Sequence, residues 1–298
     1  MEKGLWNNIV TSLKGFAMGA GNIIPGCSAG TIALLTGVFA PVVNALNAVT
    51  DPSTWKMLLG GDFKGFWKKI DGTFLIWLLG GAAVSVFSLA KLATWALSTH
   101  PVQAWAFSFG IIAASTFYLL AGVKGLKFKD LIPLICGIAF GVAFSLLTPT
   151  TTPQTLWMVF LAGLIGVCAM ILPGLSGSLV LVLLGQYGAI MSALDLSHPG
   201  WGILIVFALG CVIGLAAFSK VLHLLLERHE RTTLLVLIGF VTGSLVKVWP
   251  WFDKAAIEAA NLVTSTPGSM HIAGALLWCV LGAGIVIVLE TLARRKSQ

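Results

Sequence analysis

Two apolar stretches of this chain are each too long for a single membrane span, and each is interrupted near its centre by Pro-Gly: IIPGCSAGT at 23–31 and ILPGLSGS at 171–178. Proline removes an amide donor and clashes with the preceding turn, while glycine loosens the backbone. Neither stretch can therefore be one regular helix. Each is expected to form two half-helices joined at a break, a re-entrant hairpin, which is tolerated at membrane depth only where protein covers the freed backbone.

Composition supplies the setting. With 57% hydrophobic and 10% charged residues, a chain of 298 residues has too little polar surface to clothe a soluble globule. The apolar residues run in long blocks and do not alternate, so the fold class expected is an all-α integral membrane protein, not a barrel. Beyond hairpins at about 14–46 and 156–190, the blocks predict six full spans at about 72–97, 103–123, 131–148, 201–226, 232–250 and 272–293. The opening MEKGLWNN leads into the first block without a short apolar region and processing site, so no cleaved secretory signal is expected. Cys27, Cys136, Cys168, Cys211 and Cys279 lie in apolar segments without ligand spacing, which fits core filling and no metal. The net charge of +7 comes from residues between apolar blocks, not from a basic stripe interleaved with aromatics; nucleic acid is not an expected partner, and lipid headgroups are.

The two breaks are related. PGCSAGTIALLTGVF (25–39) aligns with PGLSGSLVLVLLGQY (173–187) without a gap at an offset of 148 residues. The echo continues at an offset of 129, where Gly81, Lys91, His100, Gly110 and Ser115 pair with Gly210, Lys220, His229, Gly239 and Ser244. The change of offset places 19 extra residues in the first half, in the loop around 47–71. The chain thus reads as an internal duplication, 1–150 and 151–298. A hairpin returns to its starting side and three spans do not, so the second repeat is expected to be inserted upside down. Charge agrees with this. With both termini cytoplasmic, 14 of the 18 Lys and Arg fall on the cytoplasmic side, the exceptions being Lys91, Lys220, Lys247 and Lys254.

Inverted repeats with broken helices belong to transporters, in which exposed half-helix ends form the binding site near the midplane. In the first break Asn22, Pro25, Gly26, Ser28, Gly30 and Thr31 combine a turn, a capping hydroxyl and small residues. Pro173, Gly174, Ser176, Gly177 and Ser178 repeat the device. Two opposed helix starts with free N–H groups suit an anion such as phosphate. The bland alternative is that Pro-Gly-x-Ser only turns the chain and permits close packing. Lys91 and Lys220, at equivalent in-span positions, are candidates for meeting a charged headgroup on opposite sides, although lysine is also built to snorkel. Arg228 and Arg231, beside Glu227 and Glu230, read as a solvated loop with local pairing.

PGCSAGT and PGLSGS, together with FSKVLHLLLERH (218–229) and GFVTGSLVKVWPW (239–251), resemble the bacterial polyprenyl-phosphate transporters over essentially the whole chain. The resemblance implies a flippase of the bacterial cytoplasmic membrane that returns undecaprenyl phosphate, the carrier lipid of cell-wall precursors, from the outer to the inner leaflet. Undecaprenyl-pyrophosphate phosphatases also resemble broken-helix repeats, but there the turn continues with Arg and the other hairpin supplies glutamates. Here Gly177 follows Ser176, and no Asp or Glu occurs between Glu2 and Asp51 or between Asp130 and Asp195. Without acid, base or metal ligand in either hairpin, catalysis and a cofactor are not expected. A transporter or channel for a small soluble anion would need the same two helix ends and remains the alternative; an opening for an isoprenoid tail separates the two. Glu290, four residues before Arg294, reads as a helix-end pair, and a coupling proton or sodium ion stays open.

Overall fold

The computed structural model describes residues 2–24, 27–194, 200–250 and 272–295. Helices make up its regular structure, and no strand occurs among the described residues. The first broken block contains α1 (Glu2–Ile23), α2 (Ala29–Leu35) and α3 (Phe39–Thr50). Short helices α4 (Pro52–Leu59) and α5 (Phe63–Lys69) lead to α6 (Gly72–Thr99) and α7 (Pro101–Gly122). A 3-10 turn at Phe128–Asp130 precedes α8 (Leu131–Ser145). The second broken block contains α9 (Leu156–Ile171), α10 (Gly177–Leu183) and α11 (Tyr187–Ala193). Helices α12 (Trp201–Ser244) and α13 (Ile272–Arg295) follow.

The structure differs from the expected boundaries in several places. Helix α1 begins at Glu2, well before position 14, because hydropathy marks only the part of a helix that suits lipid while the backbone winds on through polar turns. Each broken block breaks a second time, at Gly37 (φ +70°) and Gly185 (φ +65°), where a left-handed glycine ends a seven-residue helix. The expected loop around 47–71 folds into α4 and α5, because Asp51 and Asp62 cap their N-termini, accepting the Ser53 and Gly65 amides, and Lys69 reaches back to Asp51 at 3.0 Å. The Ser53 hydroxyl and amide, aided by Lys69, hold the Asp51 carboxyl below the usual carboxylate range. Helix α8 stops at Ser145, and the span expected to reach 250 stops at Ser244.

The Arg228–Arg231 segment is a further correction. It is not an extended loop: two helical arms of α12 meet here at a kink, with His229 (φ −139°, ψ 46°) as the one non-helical residue between them. Its repeat partner His100 joins α6 to α7 with nearly the same backbone (φ −136°, ψ 56°). Nor is the pairing local. Arg231 donates to Asp130 and to the carbonyls of Lys124 and Gly125, which fastens the α7–α8 connection to the bend.

Large apolar side chains face outward along the long helices, among them Leu79, Phe87, Phe140, Val212 and Val280. A belt of that kind is unaffordable in water and ordinary in lipid. Gly72–Leu97, Val102–Gly122, Phe128–Ser145 and Trp201–Ser244 are long and apolar enough to cross a membrane, and Phe39–Thr50, Leu156–Ile171 and Ala273–Val288 are shorter apolar helices. The protein is an integral membrane protein of helices.

Inside the belt the helices meet at glycines. A side chain on Gly15 would strike the Leu78 carbonyl, one on Gly19 would strike Ala82, and one on Gly81 would strike the Ser12 carbonyl. The numbers on α1 and α6 climb together, so the two run parallel. Gly163 against Phe207 and Gly210 against Phe160 reproduce these contacts between α9 and α12 at the same two offsets, 148 and 129. Gly137 and Gly141 meet Val236 and Phe240, so α8 lies parallel to the second arm of α12, and Gly110 and Gly282 bring α7 against α13. With no hydrophobic drive between helices in lipid, such backbone approach, through dispersion and weak Cα–H···O contacts, is what holds a bundle together.

Candidate functional site

Each break begins with a residue in extended conformation whose hydroxyl faces a short helix. Ser28 (φ −130°, ψ 147°) caps α2, its Oγ accepting the Gly30 amide at 3.1 Å. Ser176 (φ −112°, ψ 129°) occupies the same place before α10, but its side chain makes no capping bond and instead shares a hydrogen bond with the Ser178 hydroxyl at 2.7 Å.

The two breaks meet. The Ser28 hydroxyl donates to the Leu172 carbonyl at 3.3 Å, and the Gly174 amide donates to Thr31 Oγ1 at 2.9 Å. Any side chain at Gly30 would come 2.9 Å from the Ile171 carbonyl and 3.0 Å from the Pro173 nitrogen. Gly174 itself has φ +86°, a conformation natural only to glycine, and a Cβ there would lie 3.1 Å from Ser244 Oγ. Proline and the left-handed glycine strip the chain of its own helical partners, and the opposite break supplies replacements.

The expected site residues thus divide. Ser28, Gly30 and Thr31 are brought together with Pro173 and Gly174; Ser28 and Thr31 are buried, and the hydrogen bonds drawn above tie them to the opposite break. Ser178 is exposed and Ser176 half-buried. Gly177 packs tightly on the Gly166 carbonyl. Asn22 is exposed in the last turn of α1. Lys91 and Lys220 are exposed on α6 and α12 and do not enter the contact between the breaks. Pro25 and Gly26 lie outside the described residues, as do the side chains of Glu290 and Arg294.

Several residues at this centre were not singled out for it by sequence. Leu172 contributes a carbonyl, and Ser244, donating to the Val241 carbonyl at 2.7 Å, walls the turn at Gly174. In sequence Ser244 stands 129 residues after Ser115, whose hydroxyl is buried without a partner, and that offset was the available signal. His223 is held between Asn44 on α3 (2.8 Å) and Glu227 (3.3 Å), linking α3 to α12.

Beside Leu172 the surface is indented. A groove of about 330 Å³ follows the bend of α12, floored by Leu172, Leu222 and Leu237 and edged by Val221, Leu225 and Val236. Its lining is apolar along its length and polar only where His229, Thr232 and Thr233 meet it. Thr233 donates to the carbonyls of Leu225 and His229, restoring partners lost at the bend. No cluster of metal-ligating side chains occurs among the described residues.

A helical membrane protein whose two broken apolar blocks hydrogen-bond to each other beside an apolar groove has the construction of a carrier more than that of a pore. The family model described as VCA0040-like, undecaprenyl phosphate translocase-like, matches residues 18–266, and the chain belongs to that family. It is 40% identical over 245 residues to a polyprenyl-phosphate transporter of Vibrio cholerae serotype O1, covering 82% of this chain and 79% of that protein. It is 32% identical over 290 residues to a polyprenyl-phosphate transporter of Staphylococcus aureus, covering 89% of this chain and 96% of the relative. No solved structure matches.

Proposed function

We propose that this chain is a polyprenyl-phosphate transporter, a flippase that returns undecaprenyl phosphate from the outer to the inner leaflet of the bacterial cytoplasmic membrane. Its two halves, 1–150 and 151–298, act as inverted repeats, each a re-entrant hairpin followed by three spans, with both termini cytoplasmic. The phosphate passes the point where the two breaks meet, with the Ser176 and Ser178 hydroxyls as its donors there. The observation that carries this reading is the pair of hydrogen bonds joining Ser28 to Leu172 and Gly174 to Thr31, set in a chain of this family.

Helix direction supports the inverted arrangement. A hairpin that returns to its own side hands the chain to a span starting from that side, which makes α1 parallel to α6 and α9 parallel to α12, as their glycine contacts run. Transport, not hydrolysis, suits a pair of hairpins with no carboxylate or histidine. A proton or sodium ion is the candidate for coupling.

The test is reconstitution of the full chain in liposomes carrying labelled undecaprenyl phosphate. Leaflet exchange that inorganic phosphate does not abolish, and that responds to an imposed proton or sodium gradient, is the expected result. Uptake of inorganic phosphate without lipid exchange would instead make the protein a small-anion transporter.

A further inference from the structure

We infer that the groove along the bend of α12 is a berth for one polyprenyl phosphate molecule standing in a single leaflet, with its phosphate at the His229 end and its first isoprene units running toward Leu172. This rests on the transport reading above and adds to it the place where the lipid waits before or after crossing.

Dimensions argue for one leaflet. From Trp201 to the bend is 28 residues, about 42 Å at 1.5 Å per residue, so the bend reaches the membrane surface opposite the start of α12. The groove follows the last part of that arm, from Phe218 to His229, about 16 Å by the same rise. That is about half of a ~30 Å hydrocarbon core. A lipid in that leaflet has its headgroup at the bend and its tail pointing to the midplane. The groove matches this polarity, with His229 and Thr232 at the surface end and apolar walls below them.

Room and access also fit. An apolar cavity of about 150 Å³ accepts a six-carbon ring, so 330 Å³ holds the equivalent of about two isoprene units. Val221, Leu225 and Val236 on its rim are 53%, 43% and 36% exposed, so a chain can enter sideways from the bilayer. Leu172 on its floor is also the residue whose carbonyl takes the Ser28 hydroxyl, so the berth adjoins the meeting of the breaks. Repeat partners of the lining, Ile24, Leu92, Ala96, His100, Gln103 and Phe107, mark the corresponding place at the α6–α7 joint for the other leaflet.

The experiment uses the full chain in liposomes with a polyprenyl phosphate carrying a diazirine on its first isoprene unit. Photolabel is expected on residues 221–236. Leu225→Trp and Val221→Trp, both at exposed positions, are expected to lower labelling and leaflet exchange about tenfold with the thermal unfolding midpoint unchanged. Labelling elsewhere on the chain, or unaltered labelling in both variants, would overturn the berth. Displacement of the label by phosphatidic acid as readily as by unlabelled polyprenyl phosphate would overturn its assignment to a prenyl chain. If either variant is too unstable to purify, Leu225→Ala serves instead, with a shift of the labelled residues toward position 225 expected and an unchanged pattern counting against the berth. Wild-type exchange separates the two inferences: exchange with an unlabelled groove refutes only the berth, and a labelled groove without exchange refutes only transport.

Discussion

The two breaks are alike in sequence and unlike in use. Position for position, Ser28, Gly30 and Thr31 answer to Ser176, Ser178 and Leu179. In the first break the serine caps its helix and reaches across to Leu172, the glycine admits the opposite backbone, and the threonine accepts the Gly174 amide. In the second, the two serines bond to each other, and Ser178 is exposed. One break is spent as a strut. The other keeps a hydroxyl pair bonded within the break, and an exposed hydroxyl pair is cheap to reopen where a buried one is not.

The sharpest way to break this comparison is Gly30→Val. The added carbons would meet the Ile171 carbonyl and Pro173, so the breaks cannot close; purified protein should lose its cooperative thermal transition and transport should fall below detection. Ser178→Val, at the same repeat position, should keep the transition. Equal tolerance of both changes would show that the breaks do not differ as described.

Thr31→Val comes next. It leaves the Gly174 amide without an acceptor in a buried place, a loss of about 1–3 kcal/mol that a denaturation midpoint can read. Leu179→Thr, the mirror change, should leave that midpoint in place.

For the second break the readout is transport. Ser176→Ala with Ser178→Ala should slow leaflet exchange about tenfold, roughly 1.4 kcal/mol of barrier, and leave the unfolding midpoint within error. A change in stability with wild-type exchange would reverse the assignment of roles. The smallest effect is expected from Lys91→Ala with Lys220→Ala, a several-fold loss of exchange without loss of membrane insertion, since both side chains are exposed on their helices. Wild-type exchange in that pair would leave the lysines as interfacial anchors only.

Much of the architecture was legible because it follows from local chemistry. Pro25-Gly26 and Pro173-Gly174 had to interrupt a helix, and His100 and His229, paired in sequence at an offset of 129, stand at two helix joints with nearly the same backbone angles. What stayed hidden was of two kinds. The second break of each hairpin depends on single glycines, Gly37 and Gly185, in a chain with 34 of them, and nothing local distinguishes a glycine with positive φ from one that lets helices touch, such as Gly15 or Gly81. The α4–α5 helices do not show in the sequence because Asp51 and Asp62 act as caps only over one turn, a signal too short to stand out beside membrane spans.

The pairing of Arg231 with Asp130 shows the other limit. Glu227 and Glu230 are nearer in sequence, yet the bend at His229 turns the guanidinium toward a carboxylate 101 residues away. By itself the sequence determined a helical membrane protein, its two Pro-Gly breaks and the lack of carboxylate and histidine in the stretches that carry them, since each follows from residue type and spacing. Only the tertiary structure decided that the breaks bond to each other, that Ser28 and Thr31 are used up in doing so while Ser176 and Ser178 are not, and that the bend of α12 opens a groove. Those outcomes depend on which backbone amide finds which acceptor once the helices close at their glycines, and no local pattern carries that information.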